Sequence, residues 1–487
     1  MYRTFDLRSL AAFRIGLGVL IIIDLIMRAT FMLEHYTDLG MLPRYAVLLK
    51  FWRTQYWSLH MINGELWFQV VLFLIMGLAA FFVLVGYRTR IFILVSWLMM
   101  ISLQNRNGII LSGGDMLLRS LILFAIFLPL GAKWSIDEHH SKEKITDHTY
   151  KSWAGFSLML QLAFVYLFVI FIRRGGPHWW DGTALHYAFS IDQMTTSLGL
   201  LLKGQHELLR VATYVTMVIE ISGPILIFIP WANHKIRAFV IPVMLGLHIG
   251  IPFFLNIGLF PWISCVSWFF LIPGFFWDHP KIRVQTDNFG RFLTETQLWT
   301  TLQKLPASRL SVFPSKRLEW VAVISIIYIF AWNMRSTKAP FFNLPKALDP
   351  IGRSFRLEQR WNLFAPYPIK NDGWFVMRGV LKSEKEVNLW FPEQPVSFEK
   401  PKDVSGMYTG HRQQKYMMNL WTKNFKSYRL YFGKYICRKW NRFENHKDKL
   451  QTFELFYMKE RTLPVGESEP VKTKVWGHAC FKKDTTS

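Results

Sequence analysis

Long apolar runs alternate with short basic loops over the first two thirds of the chain. Nine runs, at about 10–28, 65–86, 90–104, 115–131, 153–172, 209–230, 237–256, 258–277 and 317–334, approach the roughly 20 apolar residues a helix needs to cross a bilayer. "NIGLFPW" at 256–262 separates the seventh from the eighth, because Asn, Gly and Pro together mark a tight turn. "YAVLLKFWRTQYWSLHMI" mixes apolar and basic residues and is expected to lie along the membrane interface. The first run holds Arg14 and Asp24 and has no small-residue cleavage site after it, so it reads as a retained signal-anchor.

The pattern changes after Met334. "GWFVMRGVL" and "VNLWF" predict a β-hairpin, "LQTFELFYM" a further strand, and "KSYRLYFGKYICRKWNRF" has aromatics at helical spacing. The predicted architecture is an all-α polytopic bundle over 1–334, followed by an α+β extramembranous domain over 335–487.

Charge orients this picture. The formal charge is +24, which in a soluble chain would suggest nucleic acid, yet no nucleic-acid motif is present. With a cytoplasmic N-terminus, the inside loops carry Arg88 and Arg90, then Lys133 to Lys151, then "NHKIR", then 278–316. These are basic, as the positive-inside rule asks, although 28–64 also carries Arg28, Arg44, Lys50 and Arg53. An odd number of spans puts the C-terminal domain in a periplasmic or lumenal space, with the chain in the cell (inner) membrane. In that oxidising space Cys437 and Cys480 are expected to bridge, the alternative being two buried thiols. Cys265 reads as a small buried hydrophobe, and no Cys/His spacing calls for a metal.

Ionisable groups inside spans are functional candidates by default. Asp24 and Arg28 are four residues apart, as are Asp115 and Arg119, so each pair shares a helix face. Two readings compete for them: self-neutralising pairs that lock packing, or the wall of a polar cavity. Arg14, Asn105, Asn107, Glu220 and His248 add polar groups at membrane depth. In "FIRRGGPHWWDGTALHY", Arg173 and Arg174 end an apolar run, Trp179 and Trp180 suit an interface, and Asp181 can cap a short helix.

"YTDLGMLPR", "NRNGIILSGGDMLLR", "FLPLGAKWSID", "GGPHWWDGTALHYAFS" and "LHIGIPFFLNIGLFPW" resemble, in order, the HTTM (horizontally transferred transmembrane) domain, to which vitamin K-dependent gamma-glutamyl carboxylases belong. "RWNLFAPYPIKNDGW" and the tail motifs "YICRKWN" and "VWGHACF" are similar to bacterial members. The resemblance implies a nine-span bundle with an extracytoplasmic domain. For carboxylases it also implies a lysine base that deprotonates a reduced quinone, leading to glutamate γ-carboxylation (a lyase reaction). That lysine would precede the Trp-x-acid-Gly element, here Trp179-Trp180-Asp181-Gly182, where this chain has Arg173 and Arg174. The carboxylase histidine after paired asparagines is also missing from Asn105-Arg106-Asn107-Gly108, whereas His248 fits the carboxylase spacing. A guanidinium keeps its proton and suits anion holding better than base catalysis.

The expectation is a polar cavity for a quinone, lipid or carboxylate ligand, with Arg14, Asp24, Asn105, Asn107, Asp115, Arg119, Arg173, Arg174 and His248 around it. His248 or Glu220 would replace the missing base, and Trp179 and Asp181 would border the site. The alternative is a non-catalytic scaffold whose basic outer domain binds an exported partner or lipid head groups. Self-association is left open.

Overall fold

Asp6 ends one element and starts the next. It closes β1 (Thr4–Asp6), and its carboxylate accepts the Arg8 backbone N–H at 2.8 Å, capping α1 (Leu7–Ala29). β1 pairs antiparallel with β2 (Thr149–Lys151), which fastens the start of α1 to the chain just before Trp153. This is a computed structural model, and it describes residues 3–142, 145–307, 311–337 and 344–481.

The bundle continues with α2 (Leu66–Val85), α3 (Thr89–Arg106), α4 (Gly113–Ala125), α5 (Trp153–Arg173), α6 (His206–Leu226), α7 (Asn233–Phe254), α8 (Phe260–Val266) and α9 (Lys316–Ser336). Six helices among the described residues, α1, α2, α5, α6, α7 and α9, are long and apolar enough to cross a membrane. The other three expected spans are helical but differ in kind. α3 has charged and amide residues at both ends, α4 has 13 residues, and α8 passes into a short 3-10 turn, Phe269–Leu271. They can be short or polar because they are enclosed: Asn105, Arg106, Arg119, Trp268 and Phe270 are all buried. The 45–62 stretch forms a short helix, Arg44–Ala46, that runs into a π-turn, Val47–Phe51, with Leu48 and Leu49 facing outward.

The turn from α2 to α3 depends on one glycine. Gly86 has φ 71°, and a Cβ there would lie 2.2 Å from Arg14 Nη1. Both the backbone sign and the arginine exclude a side chain.

After the bundle, β3 (Asn371–Leu381) and β4 (Glu386–Asn388) form the expected hairpin. α10 (His411–Leu420) and α11 (Arg429–Arg438) follow, then β5 (Leu450–Arg461) and β6 (Val471–Ala479). The sheet is antiparallel in the order β4-β3-β5-β6. "VNLWF" leaves the sheet after Asn388, because Trp390 turns away to donate to the Met407 carbonyl at 2.9 Å. "VWGHACF", read only as a family motif, provides most of β6. One continuous apolar core joins bundle and sheet. The expected bridge is present: Cys437 on α11 is bonded to Cys480 just after β6.

Closing a 43-residue separation restricts the unfolded chain, so Cys437→Ser is expected to cost about 2–4 kcal/mol. Thermal melting in detergent checks it. A reductant should lower the melting temperature of the wild type by the same amount and leave the variant unmoved.

Candidate functional site

The buried charges at one end of the bundle assemble from three distant segments. Asp24 and Arg28, one turn apart on α1, pair at 2.7 Å, as their spacing requires. Asp115 sits in the first turn of α4 and accepts the backbone N–H of Ser112 at 2.6 Å. That bond turns its carboxylate toward the helix start, so it meets Arg28 rather than Arg119. The expected Asp115–Arg119 pair does not form. Arg119 instead donates to the Arg356 carbonyl at 2.8 Å and to Gln104.

Arg412, at the start of α10, completes the group. It reaches Asp115 Oδ2 at 2.5 Å, Asp115 Oδ1 at 2.8 Å and Asp24 Oδ1 at 2.9 Å. Arg28 also donates to the Tyr36 hydroxyl at 2.8 Å. Two carboxylates and two guanidiniums therefore cancel in charge, with every carboxylate oxygen bonded. Desolvated ions persist only when paired and hydrogen-bonded in this way.

A cavity of about 180 Å³ lies against this quartet. Phe260, Ile263 and Leu118 form apolar wall, and Ile26 and Thr30, both exposed at the end of α1, stand at its rim. His411 lines it as well. Its Nδ1 is 2.8 Å from Gln414 Oε1, an acceptor, so Nδ1 carries the proton and Nε2 offers a lone pair. Nε2 is buried and has no hydrogen-bond partner among the described residues. Burial, then the neighbouring Arg412 charge, lower the His411 pKa to about 4, so the ring is neutral at pH 7. Gly258, at φ 67°, makes room for it, since a Cβ there would meet His411 Cδ2 at 2.5 Å.

Of the residues expected around one cavity, only Asp24 and Asp115 reach this one; the structure distributes the rest. Arg14 is ten residues, about 15 Å of helix, from Asp24. It holds the far-end loop through the carbonyls of Leu130, Lys133 and Trp134, at 3.2, 3.3 and 2.5 Å. Asn105 and Asn107 donate to the carbonyls of Trp57 and His35, at 2.8 and 3.1 Å.

Arg173 and Glu220 come together at 2.5 Å, with the Trp179 ring 3.4 Å from the guanidinium carbon. Trp179 in turn donates to the Phe364 carbonyl at 2.9 Å. Arg174 is exposed, and Asp181 accepts the Thr183 N–H at 2.9 Å in a local turn. His248 Nε2 is 2.7 Å from the Tyr166 hydroxyl, which accepts from Trp268 Nε1 at 3.1 Å. Phe260 lines the cavity and its ring centroid is 6.4 Å from that of His248, which is not among the lining residues.

Sequence reasoning missed Arg412 and His411, because "TGHRQQKY" reads only as the polar start of a soluble helix. It also missed a second junction. Asp372 on β3 is buried and accepts from Gln193 Nε2 at 2.7 Å, while the Tyr408 hydroxyl donates to Gln193 Oε1 at 2.7 Å. Beside it, Lys400 joins Asp192, Glu460 and Glu467 at 2.5, 2.6 and 2.9 Å, and Lys203 joins Asp192 and Glu467 at 2.9 and 2.5 Å.

Removing Arg412 leaves two buried carboxylates facing one guanidinium. Arg412→Ala is expected to destabilise by about 3–5 kcal/mol, seen as a lower melting temperature and as protease access to α10. At the second junction, burial, then the Asp192 charge, push Asp372 up to about 7, and burial raises Glu460 to about 7. Folded pKa values above the unfolded ones mean stability that is full below about pH 4 and lost as pH rises through 7. Hydrogen exchange of β3 and β5 should therefore quicken between pH 5 and 8, and Asp372→Asn should flatten that trend.

The HTTM domain model matches residues 2–274, more than half of the chain and the whole path from β1 through α8. No curated protein and no solved structure matches the chain. The matched segment carries both ends of the bundle and the Asp24, Arg28 and Asp115 members of the quartet. The chain belongs to the HTTM domain family.

Proposed function

We propose that this protein is an integral membrane receptor site for an amphipathic ligand, a quinone or a lipid, and that it does not carboxylate glutamate. The reading rests on the cavity beside the quartet. Its rim includes Ile26, exposed on the last turns of a membrane-length helix, where acyl chains would be, and Thr30 just after that helix. At about 180 Å³ it is smaller than the roughly 300–1,000 Å³ of a drug-sized pocket, so it suits a ring or head group whose tail stays outside. In this reading the unpartnered His411 Nε2 accepts a hydrogen bond from a ligand hydroxyl, and the neutralised quartet provides a polar floor without net charge.

The argument against carboxylation is local. Where the resemblance puts a lysine base, Arg173 is bonded to Glu220 and covered by Trp179. A guanidinium cannot serve as a base near neutral pH. His248 is engaged by Tyr166 and is not among the residues that line the cavity.

The topology belongs to the same proposal. The ends of α1, α3, α5 and α7 and the starts of α4 and α8 gather near the C-terminal region, through contacts such as Asp24–Arg412, Asn419–Ile109 and Arg412–Ile110. That alternation suits nine crossings with a cytoplasmic N-terminus and an extracytoplasmic domain from about residue 335. The Cys437–Cys480 bridge suits an oxidising space there.

Solvent extraction and mass spectrometry of the purified protein should release a bound quinone or lipid. His411→Phe removes the Nε2 acceptor together with the Nδ1 bond to Gln414, and should lower the retained amount about fivefold, one hydrogen bond's worth, in protein that still purifies folded. Protein free of any small molecule, or full retention in the variant, would sink the ligand reading. Labelled bicarbonate with reduced quinone and a glutamate peptide should give no incorporation, and incorporated label would overturn the rest.

A further inference from the structure

At the far end of the bundle from the quartet, a second and larger cleft of about 460 Å³ opens between the α2–α3 turn, the loop after α4 and the segment at 311–313. Its chemistry is different. Arg88, Arg90, His140 and Lys142 line it, while Val312 and Phe313 form an apolar wall.

The acid among the lining residues is already committed. Asp137 accepts the backbone N–H groups of Arg88 and Thr89, each at 2.8 Å, and the Thr89 hydroxyl at 2.6 Å. Its oxygens are thus taken up by the start of α3, while its charge also acts on Arg90.

Those side chains are held but not consumed. Arg88 adopts φ 41°, and its guanidinium lies 5.4 Å from the centre of the Tyr87 ring. Arg90 spends one donor on the Val312 carbonyl at 3.1 Å. The Nε atoms of both arginines are buried without a hydrogen-bond partner among the described residues. His140 donates from Nε2 to the Gln303 carbonyl at 2.8 Å, which leaves Nδ1, also buried and unpartnered, on the other side of the ring. Lys142 is exposed at the rim.

Two planar guanidiniums and an ammonium around one cleft, with spare donors and the neighbouring carboxylate spoken for, match the oxygens of a phosphate. We propose that this cleft binds a phosphate group, carried either by a membrane phospholipid head group or by a soluble phosphate. The Val312–Phe313 wall would border the carbon part of the bound molecule. This site is separate from the quartet cavity and does not depend on its ligand.

The test uses the purified full chain in neutral detergent, with short-chain phosphatidylglycerol and inorganic phosphate as separate probes followed by native mass spectrometry and thermal shift. Wild type is expected to bind at least one. The R88Q/R90Q double variant should weaken that binding by about tenfold or more, and K142Q by about threefold, with steep salt sensitivity. Arg174→Gln, at the opposite end, should leave it unchanged. Binding of the lipid alone identifies a head-group site, and binding of free phosphate identifies a soluble source. If the double variant fails to fold, K142Q decides, since its exposed side chain makes no hydrogen bond or ion pair among the described residues. No binding of either probe, or equal binding in the wild type and the site variants, overturns the proposal.

Discussion

The quartet of Asp24, Arg28, Asp115 and Arg412 is the constraint on which one end of the bundle depends. Each ion by itself would be expensive at that depth, so the four stand or fall together. Three come from the bundle, and the fourth arrives from α10, almost three hundred residues later than Asp115. The C-terminal region is therefore more than an appendage: without it the bundle has one unneutralised carboxylate. The continuous apolar core and the Gln193–Asp372 junction follow the same logic, coupling the two parts by burial as well as by charge.

That coupling also shapes the cavity. One wall, with His411, belongs to α10, and the opposite wall to α1, α4 and α8. Seating α10 thus both completes the ion network and closes the pocket. The quartet satisfies its own hydrogen bonds, so its role at the cavity is to keep a polar, uncharged floor. Beside it stands the neutral His411 imidazole, whose buried Nε2 has no hydrogen-bond partner among the described residues.

The other polar groups divide between support and disguise. Arg14, Asn105, Arg106 and Asn107 all donate to backbone carbonyls of turns that no helix or sheet satisfies. In a membrane this is a structural necessity, since no water is present to do the work. Arg173, the residue that most invited a catalytic reading, is neutralised by Glu220 and covered by Trp179. The pairing explains how an arginine is tolerated where the family resemblance leads one to expect a lysine.

What the sequence determined by itself was whatever is local and periodic. Apolar runs long enough to cross a bilayer marked the six membrane-length helices, the i,i+4 spacing marked Asp24–Arg28, and short apolar and aromatic runs set off by charged residues marked β3 and β5. The ordered motifs marked the family. Tertiary structure decided which charges meet. Spacing offered Asp115 only Arg119, and the Ser112 bond at the helix start turned its side chain to Arg28 instead. Arg412 and His411 had no signal, because a polar helix start looks the same in solvent and against a bundle. Arg14 and Asp24 share one helix yet serve opposite ends, a separation that one-dimensional spacing shows only after the helix axis is laid across the fold. Charge in this chain is long-range by nature, and partners hundreds of residues apart are visible only once the packing has brought them together.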